Sequence, residues 1–256
     1  MAFVSNIRNK ISSKRATRAI SAVFALVFLS LALTGCDQPE PQVKTEPAIK
    51  AVTEPVSNSP SFNSIVRLTT ELGNIDIELF STAAPITTAN FLAYVDAGLY
   101  SSKGESQMSF YRTVRDDNQA QNNIKIAVIQ GGLMDKSMTP VGNGLHPIEH
   151  ETTEQTGILH TDGIVSLARG EPGTGSSEIF IVLGDQPSLD FGGMRNPDGQ
   201  GFAAFGKVVR GMHFVRKIHQ AKTIAPEGET LDYTSGQFIK QPVRVLSSER
   251  LMQLDN

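Results

Sequence analysis

Short segments of β-forming residues, separated by glycines, most constrain how this chain can fold. In the clearest of them the apolar Ile75, Ile77 and Leu79 alternate with the acidic Asp76 and Glu78, as in a strand with one buried face. Comparable segments cover residues 66–69, 110–114, 126–130, 164–168, 179–183, 202–208 and 243–246. Because 21 of the 22 glycines lie within residues 62–256, tight turns can join these strands, and we expect a mainly β domain.

Two further segments have helical spacing. Pro85 can open a helix, Phe91 belongs to its apolar face, and Gly98 is a typical stop. A second helix is predicted over Met212–His219, and a hairpin turn at residues 72–74. Many short strands with two helices predict a closed antiparallel barrel that is capped by the two α-helices.

The first 35 residues have the features of a secretory signal. Five basic residues and no acidic ones precede an uncharged apolar stretch over residues 19–35, which is shorter than the roughly 20 apolar residues of a membrane-spanning helix. The stretch ends in Leu33-Thr34-Gly35-Cys36, which resembles a bacterial lipobox. The resemblance implies cleavage after Gly35 and lipidation of Cys36, whose acyl chains would bind a lipid bilayer stably.

Residues 36–61 are predicted to carry this lipidation site and then a disordered tether. They contain five of the 13 prolines, no aromatic residue and no glycine, so they cannot bury enough apolar surface to order themselves. The folded domain is expected over residues 62–256. We expect an extracytoplasmic, lipid-anchored protein, on the periplasmic face of the inner membrane if the host has two membranes, because Asp37 resembles an inner-membrane retention signal.

Charge and cysteine content exclude several kinds of partner. Beyond the signal, 18 basic residues stand against 26 acidic ones, whereas a nucleic-acid-binding domain is expected to present a basic face. A single cysteine excludes an intramolecular disulfide and a zinc site built from CxxC pairs. We expect no nucleic acid, no metal and no cofactor, and a monomer.

Two motifs suggest other chemistry but lack the context it requires. Residues 170–177 are one residue from a phosphate-binding P-loop, with Ser176 in place of the lysine, but a β pattern follows where a helix is needed. His146-Pro147-Ile148-Glu149-His150 has the HxxEH spelling of a zinc peptidase, yet Pro147 interrupts the helix that would align both histidines. We interpret both as loops.

A series of short strings resembles the cyclophilin-type peptidyl-prolyl isomerases, in the order of that family and over residues 65–246. They are Thr70–Ile75, Ala84–Phe91, Phe110-Tyr111-Arg112, Ile129-Gln130-Gly131-Gly132, Gly163–Ile181, Leu189-Asp190 and Phe205–Met212. The resemblance implies an eight-stranded antiparallel barrel. It also implies catalysis of cis/trans isomerisation at X-Pro bonds, a reaction that needs an environment favouring the twisted amide and no proton transfer.

The same resemblance assigns roles to individual residues. Arg112 would donate a hydrogen bond to the proline nitrogen of the twisted state, and Gln130 would orient Arg112 or the substrate carbonyl. The substrate-binding residues would be Phe180, Leu189, Val128, Ala168, Phe202 and Arg169.

Departures from the family pattern keep a second function open. Ala127 and Val128 stand where the family has larger residues, and Glu178, Arg169 and Ser188 replace a usual Gln, Asn and aromatic residue. The smaller wall favours a catalytically weak binding or chaperone module for proline-containing segments. The retained arginine and glutamine favour a peptidyl-prolyl isomerase that acts on exported, folding proteins, which is the function we expect.

Overall fold

The structure, a computed structural model, describes residues 64–103, 107–135, 144–225 and 232–251. The predicted signal, Cys36 and the tether lie outside these residues, and the predictions for them stay predictions. Within the described segments, no helix has the length and apolar character needed to cross a membrane.

Eight antiparallel strands close into a barrel, as predicted. They are β1 (Ile65–Thr70), β2 (Gly73–Leu79), β3 (Gln107–Val114), β4 (Val128–Met134), β5 (Ile164–Leu167), β6 (Ile179–Val182), β7 (Ala203–Arg210) and β8 (Phe238–Leu251). Around the barrel their order is β1-β2-β7-β5-β6-β4-β3-β8, and β8 closes the ring by pairing with both β1 and β3. Closure leaves no exposed sheet edge among these strands.

The turn of the first hairpin lies one residue earlier than predicted. Thr70 already pairs with Gly73, so only Glu71 and Leu72 form the turn. The Thr70 hydroxyl accepts hydrogen bonds from the backbone N–H groups of Leu72 and Gly73, at 3.1 and 3.2 Å. A Cβ at Gly73 would lie 2.2 Å from the Phe214 ring, so the glycine allows a helix to pack closely on this hairpin.

The two predicted helices are present, together with one turn that was not predicted. They are α1 (Pro85–Asp96), α2 (Thr153–Thr156) and α3 (Met212–His219). A capping box between Thr152 and Gln155 stabilises the single turn of α2. At the start of α1, the backbone N–H groups of Ile86 and Thr87 donate to the buried carboxylate of Glu151, at 3.1 and 2.7 Å, a position that the helix dipole favours for an anion.

Alternate side chains of the strands enter two apolar clusters. The inner cluster fills the barrel and includes Phe91, whose ring contacts those of Tyr100 and Phe205 at centroid distances of 5.4 and 5.2 Å. The outer cluster lies on the opposite face of the strands and consists of Val114, Ile126, Val128, Ile164, Phe180, Val182, Leu189, Phe202 and Ala204. In β6, Ile179 and Ile181 belong to the inner cluster, whereas Phe180 and Val182 belong to the outer one.

The two misleading motifs are loops, as interpreted. Residues 170–177 form turns and lead into β6 rather than a helix, and residues 146–150 have no regular secondary structure. The predicted strand at residues 126–130 begins later, at Val128, because Ile126 is held by Gln119 instead of by a neighbouring strand. The Gln119 amide accepts from the Ile126 N–H at 3.1 Å and donates to its carbonyl at 2.7 Å.

Candidate active site

A pocket with a cavity volume of about 150 Å³ lies over the outer cluster. Its lining consists of Arg112, Ile126, Val128, Gln130, Ala168, Arg169, Phe180, Leu189, Asn196, Phe202 and Tyr233. All eight residues that the sequence assigned to catalysis or substrate binding are among them. The structure therefore brings the predicted site together, while the individual roles stay predictions.

One end of the pocket is apolar and aromatic. The Phe180 and Phe202 rings pack edge to face, nearly at a right angle, with centroids 5.2 Å apart. Leu189 is 1% exposed and comes from a short 3₁₀ turn, Pro187–Leu189. Val128 and Ala168 complete this surface, which is wide enough for a small apolar ring.

A buried polar group supports this apolar end from behind. The His160 ring stacks on Phe180 at 5.9 Å, its Nδ1 lies 2.7 Å from an Asp190 carboxylate oxygen, and its Nε2 lies 3.0 Å from the Ser166 hydroxyl. These three types are those of a hydrolytic triad, but Ser166 is 0% and His160 1% exposed. Substrate cannot reach the hydroxyl, so the group holds Phe180 and the loop of Leu189 in place.

The other end of the pocket is polar and is centred on Arg112. Its Nη1 donates to Gln130 Oε1 at 2.7 Å, and its Nε and Nη2 both donate to Gln237 Oε1, at 3.0 and 2.6 Å. These bonds use three of the five N–H groups of the guanidinium. Among the described residues no other hydrogen bond of normal geometry is made by this guanidinium, so two N–H groups, next to the Tyr233 side chain, can reach a ligand in the pocket.

A β-bulge explains why two consecutive residues of β3 reach the same partner. Phe110 pairs with Gly131 and Arg112 with Gln130, so Tyr111 has no opposite residue on β4. The Gln130 Nε2 donates to the Tyr111 hydroxyl at 2.9 Å, and that hydroxyl makes a short hydrogen bond to Glu178 Oε2. In a regular strand Tyr111 and Arg112 would point to opposite faces.

Burial shapes the ionisation of this polar end. It raises the pKa of the Glu178 carboxyl, opposed by hydrogen bonds from Tyr111 and Gln130. Burial, together with the charge of Glu178, also raises the pKa of the Tyr111 phenol. It lowers the pKa of Arg112, although a guanidinium stays charged in proteins.

Arg169 differs from Arg112 in that its hydrogen-bonding capacity is used up within the protein. Its N–H groups donate to the carbonyls of Gly170 and Gly201 and bidentately to the Asp198 carboxylate, at 2.7 and 2.9 Å. The hydrogen bond from Arg169 lowers the pKa of Asp198 to about 2. The guanidinium also lies over the Phe202 ring, so Arg169 is placed to hold this wall, and a polar contact with substrate would have to come from its backbone.

Four polar side chains at the site, those of Arg195, Asn196, Tyr233 and Gln237, were missed because no local pattern marks them. Tyr233 lies between two guanidinium groups, 5.4 Å from that of Arg112 and 4.8 Å from that of Arg195. Asn196 comes from the same inserted loop as Arg195, and Gln237 follows Arg112 by 125 residues. Among the described residues, no cluster of metal-ligating side chains occurs.

Comparisons with known proteins give one consistent result. Residues 65–249 match the family model described as cyclophilin type peptidyl-prolyl cis-trans isomerase. The chain is 31% identical over 187 residues to a peptidyl-prolyl cis-trans isomerase of Acinetobacter baylyi, covering 72% of this chain and 84% of the relative. It is 30% identical over 181 residues to peptidyl-prolyl cis-trans isomerase A of Dickeya dadantii, covering 69% of this chain and 84% of that one.

Solved structures show the same fold. A cyclophilin type peptidyl-prolyl cis-trans isomerase of Cryptosporidium parvum superposes with a TM-score of 0.52 at 21% identity, covering 75% of this chain and 100% of that chain. A second structure, of the same protein in the presence of the dipeptide Ala-Pro, gives a TM-score of 0.52 at 22% identity. At these identities the likeness is one of fold.

Proposed function

The chain belongs to the cyclophilin-type peptidyl-prolyl cis-trans isomerases, and from that premise we propose how its pocket performs the reaction and where the enzyme works. The activity is the isomerisation of X-Pro bonds. The observation that carries the proposed mechanism is the geometry of Arg112, which keeps two N–H groups free beside an apolar surface built around Phe180.

The reaction requires an environment that favours a twisted amide. Resonance gives the peptide bond a rotational barrier of about 18–20 kcal/mol, and twisting places a lone pair on the proline nitrogen. The proline ring rests on Phe180 and Leu189, which brings its nitrogen next to Arg112. A hydrogen bond from the guanidinium to that lone pair exists only in the twisted state, so it lowers the barrier rather than merely tightening binding.

Two neutral amides hold the guanidinium for this task. Gln130 and Gln237 accept from different N–H groups of Arg112, which restricts its rotation without neutralising its charge. Among the described residues no carboxylate forms an ion pair with Arg112. The full positive charge is therefore available to the developing lone pair in a partly desolvated pocket.

An exchange assay separates the enzyme from a binding module. NMR exchange spectroscopy on a short X-Pro peptide measures both the exchange rate and the peptide shifts that report binding. We expect catalytic amounts of the wild type to accelerate exchange. Peptide shifts at stoichiometric protein without faster exchange would instead support the weakly catalytic chaperone module.

We further propose that the enzyme is a lipoprotein acting on exported chains. The support is the string Leu33–Cys36 after a basic and apolar leader, and the Pro-containing tether that follows it. Acylation of Cys36 would hold the domain at the outer face of the cytoplasmic membrane, with Asp37 favouring retention there in a two-membrane host. Unfolded exported proteins pass this surface, and their X-Pro bonds isomerise slowly without a catalyst.

Membrane fractionation with labelled fatty acid tests the anchor. Cys36→Ser should abolish incorporation of the label and should either release the domain or leave the precursor unprocessed. Ser61→Ala, a matched change at the end of the tether, should alter neither. Unchanged membrane association and mature mass in the Cys36→Ser protein would overturn the lipoprotein proposal.

A further inference from the structure

Glu178 has no part in the mechanism above, although its carboxylate is hydrogen-bonded to both Tyr111 and Gln130. We propose that Glu178 is a positioning residue, which acts through Tyr111 and Gln130 to fix the orientation of the Arg112 guanidinium. The inference rests on the proposed role of Arg112. It concerns a residue for which the family resemblance expects glutamine.

The two ends of this hydrogen-bond chain have fixed polarity. A guanidinium can only donate hydrogen bonds, and an ionised carboxylate can only accept them. Between Arg112 and Glu178 stand two groups that can do either, the amide of Gln130 and the hydroxyl of Tyr111. Their directions are therefore decided by the residues at the ends.

All four members of this hydrogen-bond chain are linked in a single arrangement. Arg112 Nη1 donates to Gln130 Oε1 at 2.7 Å, which turns Gln130 Nε2 toward the Tyr111 oxygen at 2.9 Å and, at a longer 3.4 Å, toward Glu178 Oε2 itself. The Tyr111 oxygen accepts that bond, so its own proton is directed to Glu178 Oε2. A group at position 178 that donated to Tyr111 would oppose this order, and the Gln130 amide could then turn its nitrogen toward Arg112 and repel it.

The barrel provides the space that this carboxylate occupies. A Cβ at Gly132 would lie 2.0 Å from Glu178 Oε1, so the second glycine of the Gln-Gly-Gly string makes room for it. Glu178 Oε1 is buried and, among the described residues, has no hydrogen-bond partner. Only Oε2 acts as an acceptor, and a proton on Oε1 would leave that acceptor unchanged. The raised pKa of Glu178 is therefore compatible with the same role for the neutral acid.

Glu178→Met tests the proposal, because it keeps the length of the side chain and removes the oxygen acceptor. We expect kcat to fall about tenfold with little change in KM, since the apolar end of the pocket is untouched. Glu178→Gln can still turn its oxygen to Tyr111 and should recover most of the rate. The control is Thr113→Val, on the same strand as Tyr111 and Arg112. It removes a buried hydroxyl that donates to the His219 carbonyl and should leave kcat unchanged.

A double-mutant cycle separates a relay from simple packing. Tyr111→Phe deletes the Tyr111 oxygen and leaves only the longer Gln130–Glu178 contact at 3.4 Å. It should therefore lower kcat as well, by up to about tenfold, and it remains informative if the methionine variant does not fold. The Tyr111→Phe, Glu178→Met double variant should be about as active as Glu178→Met alone, because Glu178→Met already removes the acceptor of both contacts. Losses that multiply to about a hundredfold would overturn the relay.

The outcomes also distinguish this inference from the proposed mechanism. If Arg112→Ala keeps full activity, Arg112 has no catalytic role and the proposed mechanism fails first. If Arg112→Ala is impaired while folded Glu178→Met stays within twofold of the wild type, the mechanism stands and the positioning role of Glu178 is overturned.

Discussion

The two faces of the same strands differ in function: the inner face forms the core and the outer face forms the pocket. Toward the barrel interior, β6 presents Ile179 and Ile181 to an enclosed apolar cluster, whereas toward the outside it presents Phe180 to an open pocket. Removing an inner side chain creates a closed cavity, and removing an outer one only enlarges a pocket that solvent already enters. Substitutions at neighbouring residues of one strand can therefore change stability and catalysis separately.

The largest expected effect is on stability, from the inner face. Phe205→Ala removes a fully buried ring that packs on Phe91, and the free energy of unfolding should fall by about 3–5 kcal/mol. Denaturant unfolding measures this loss. The kcat/KM of the molecules that remain folded should match that of the wild type, and a loss below about 1.5 kcal/mol would contradict an enclosed inner cluster.

Arg112→Ala should have the largest effect on activity. It removes the donor that acts in the twisted state, so kcat/KM should fall about 100-fold, equivalent to about 2.7 kcal/mol. Stability should fall by only about 1–2 kcal/mol, because the Gln237 acceptor loses its donor. The matched control is Arg244→Ala, which breaks the exposed ion pair with Glu71 and should leave kcat/KM unaffected.

Phe180→Ala should affect both properties moderately. Its ring is 4% exposed but faces the pocket, so we expect a loss of about 2 kcal/mol from apolar burial without the added cost of a closed cavity. KM for an X-Pro peptide should rise about tenfold with a smaller change in kcat. A stability loss as large as that of Phe205→Ala would erase the distinction between the faces.

The smallest expected effect is the dependence of stability on pH at the polar end. The pKa of Glu178 is higher in the folded protein than in the unfolded chain, so the folded state retains this proton longer. This contribution to stability is fully present below the unfolded pKa and is lost as pH rises through the folded pKa. Between pH 4 and 8, the wild type should lose stability relative to Glu178→Gln, and parallel unfolding curves would contradict the burial effect.

Local patterns and family strings predicted the strands, the two longer helices and eight of the residues that line the pocket. Alternation placed the β2 strand correctly, and the resemblance gathered the residues that surround Phe180. Neither the local patterns nor the family resemblance identified the distant polar side chains that complete the site. Gln237 meets Arg112 only because β8 pairs with β3, and Glu151 meets the start of α1 across more than 60 residues. Partner choice between distant polar groups depends on three-dimensional proximity, which periodicity does not encode.

The role expected for Arg169 shows the same limit. A family position normally filled by Asn predicts a polar contact with substrate, but the arginine is turned toward Asp198 and the Gly201 carbonyl. The longer arginine side chain has more donors, and it reaches a carboxylate in the loop before β7, which the residues around Arg169 do not indicate. Its contact with substrate stays a prediction.

The way the barrel closes has a consequence for how the chain is made. Ile65, at the start of β1, pairs with Leu251 near the end of β8, and β8 also pairs with β3. A nascent chain emerging from the ribosome or a translocation channel therefore cannot complete the ring until residue 251 is free. Until then β1 and β3 each present an unpaired edge to other chains. During synthesis from the N-terminus, this folding catalyst therefore needs protection from aggregation itself until β8 has been made.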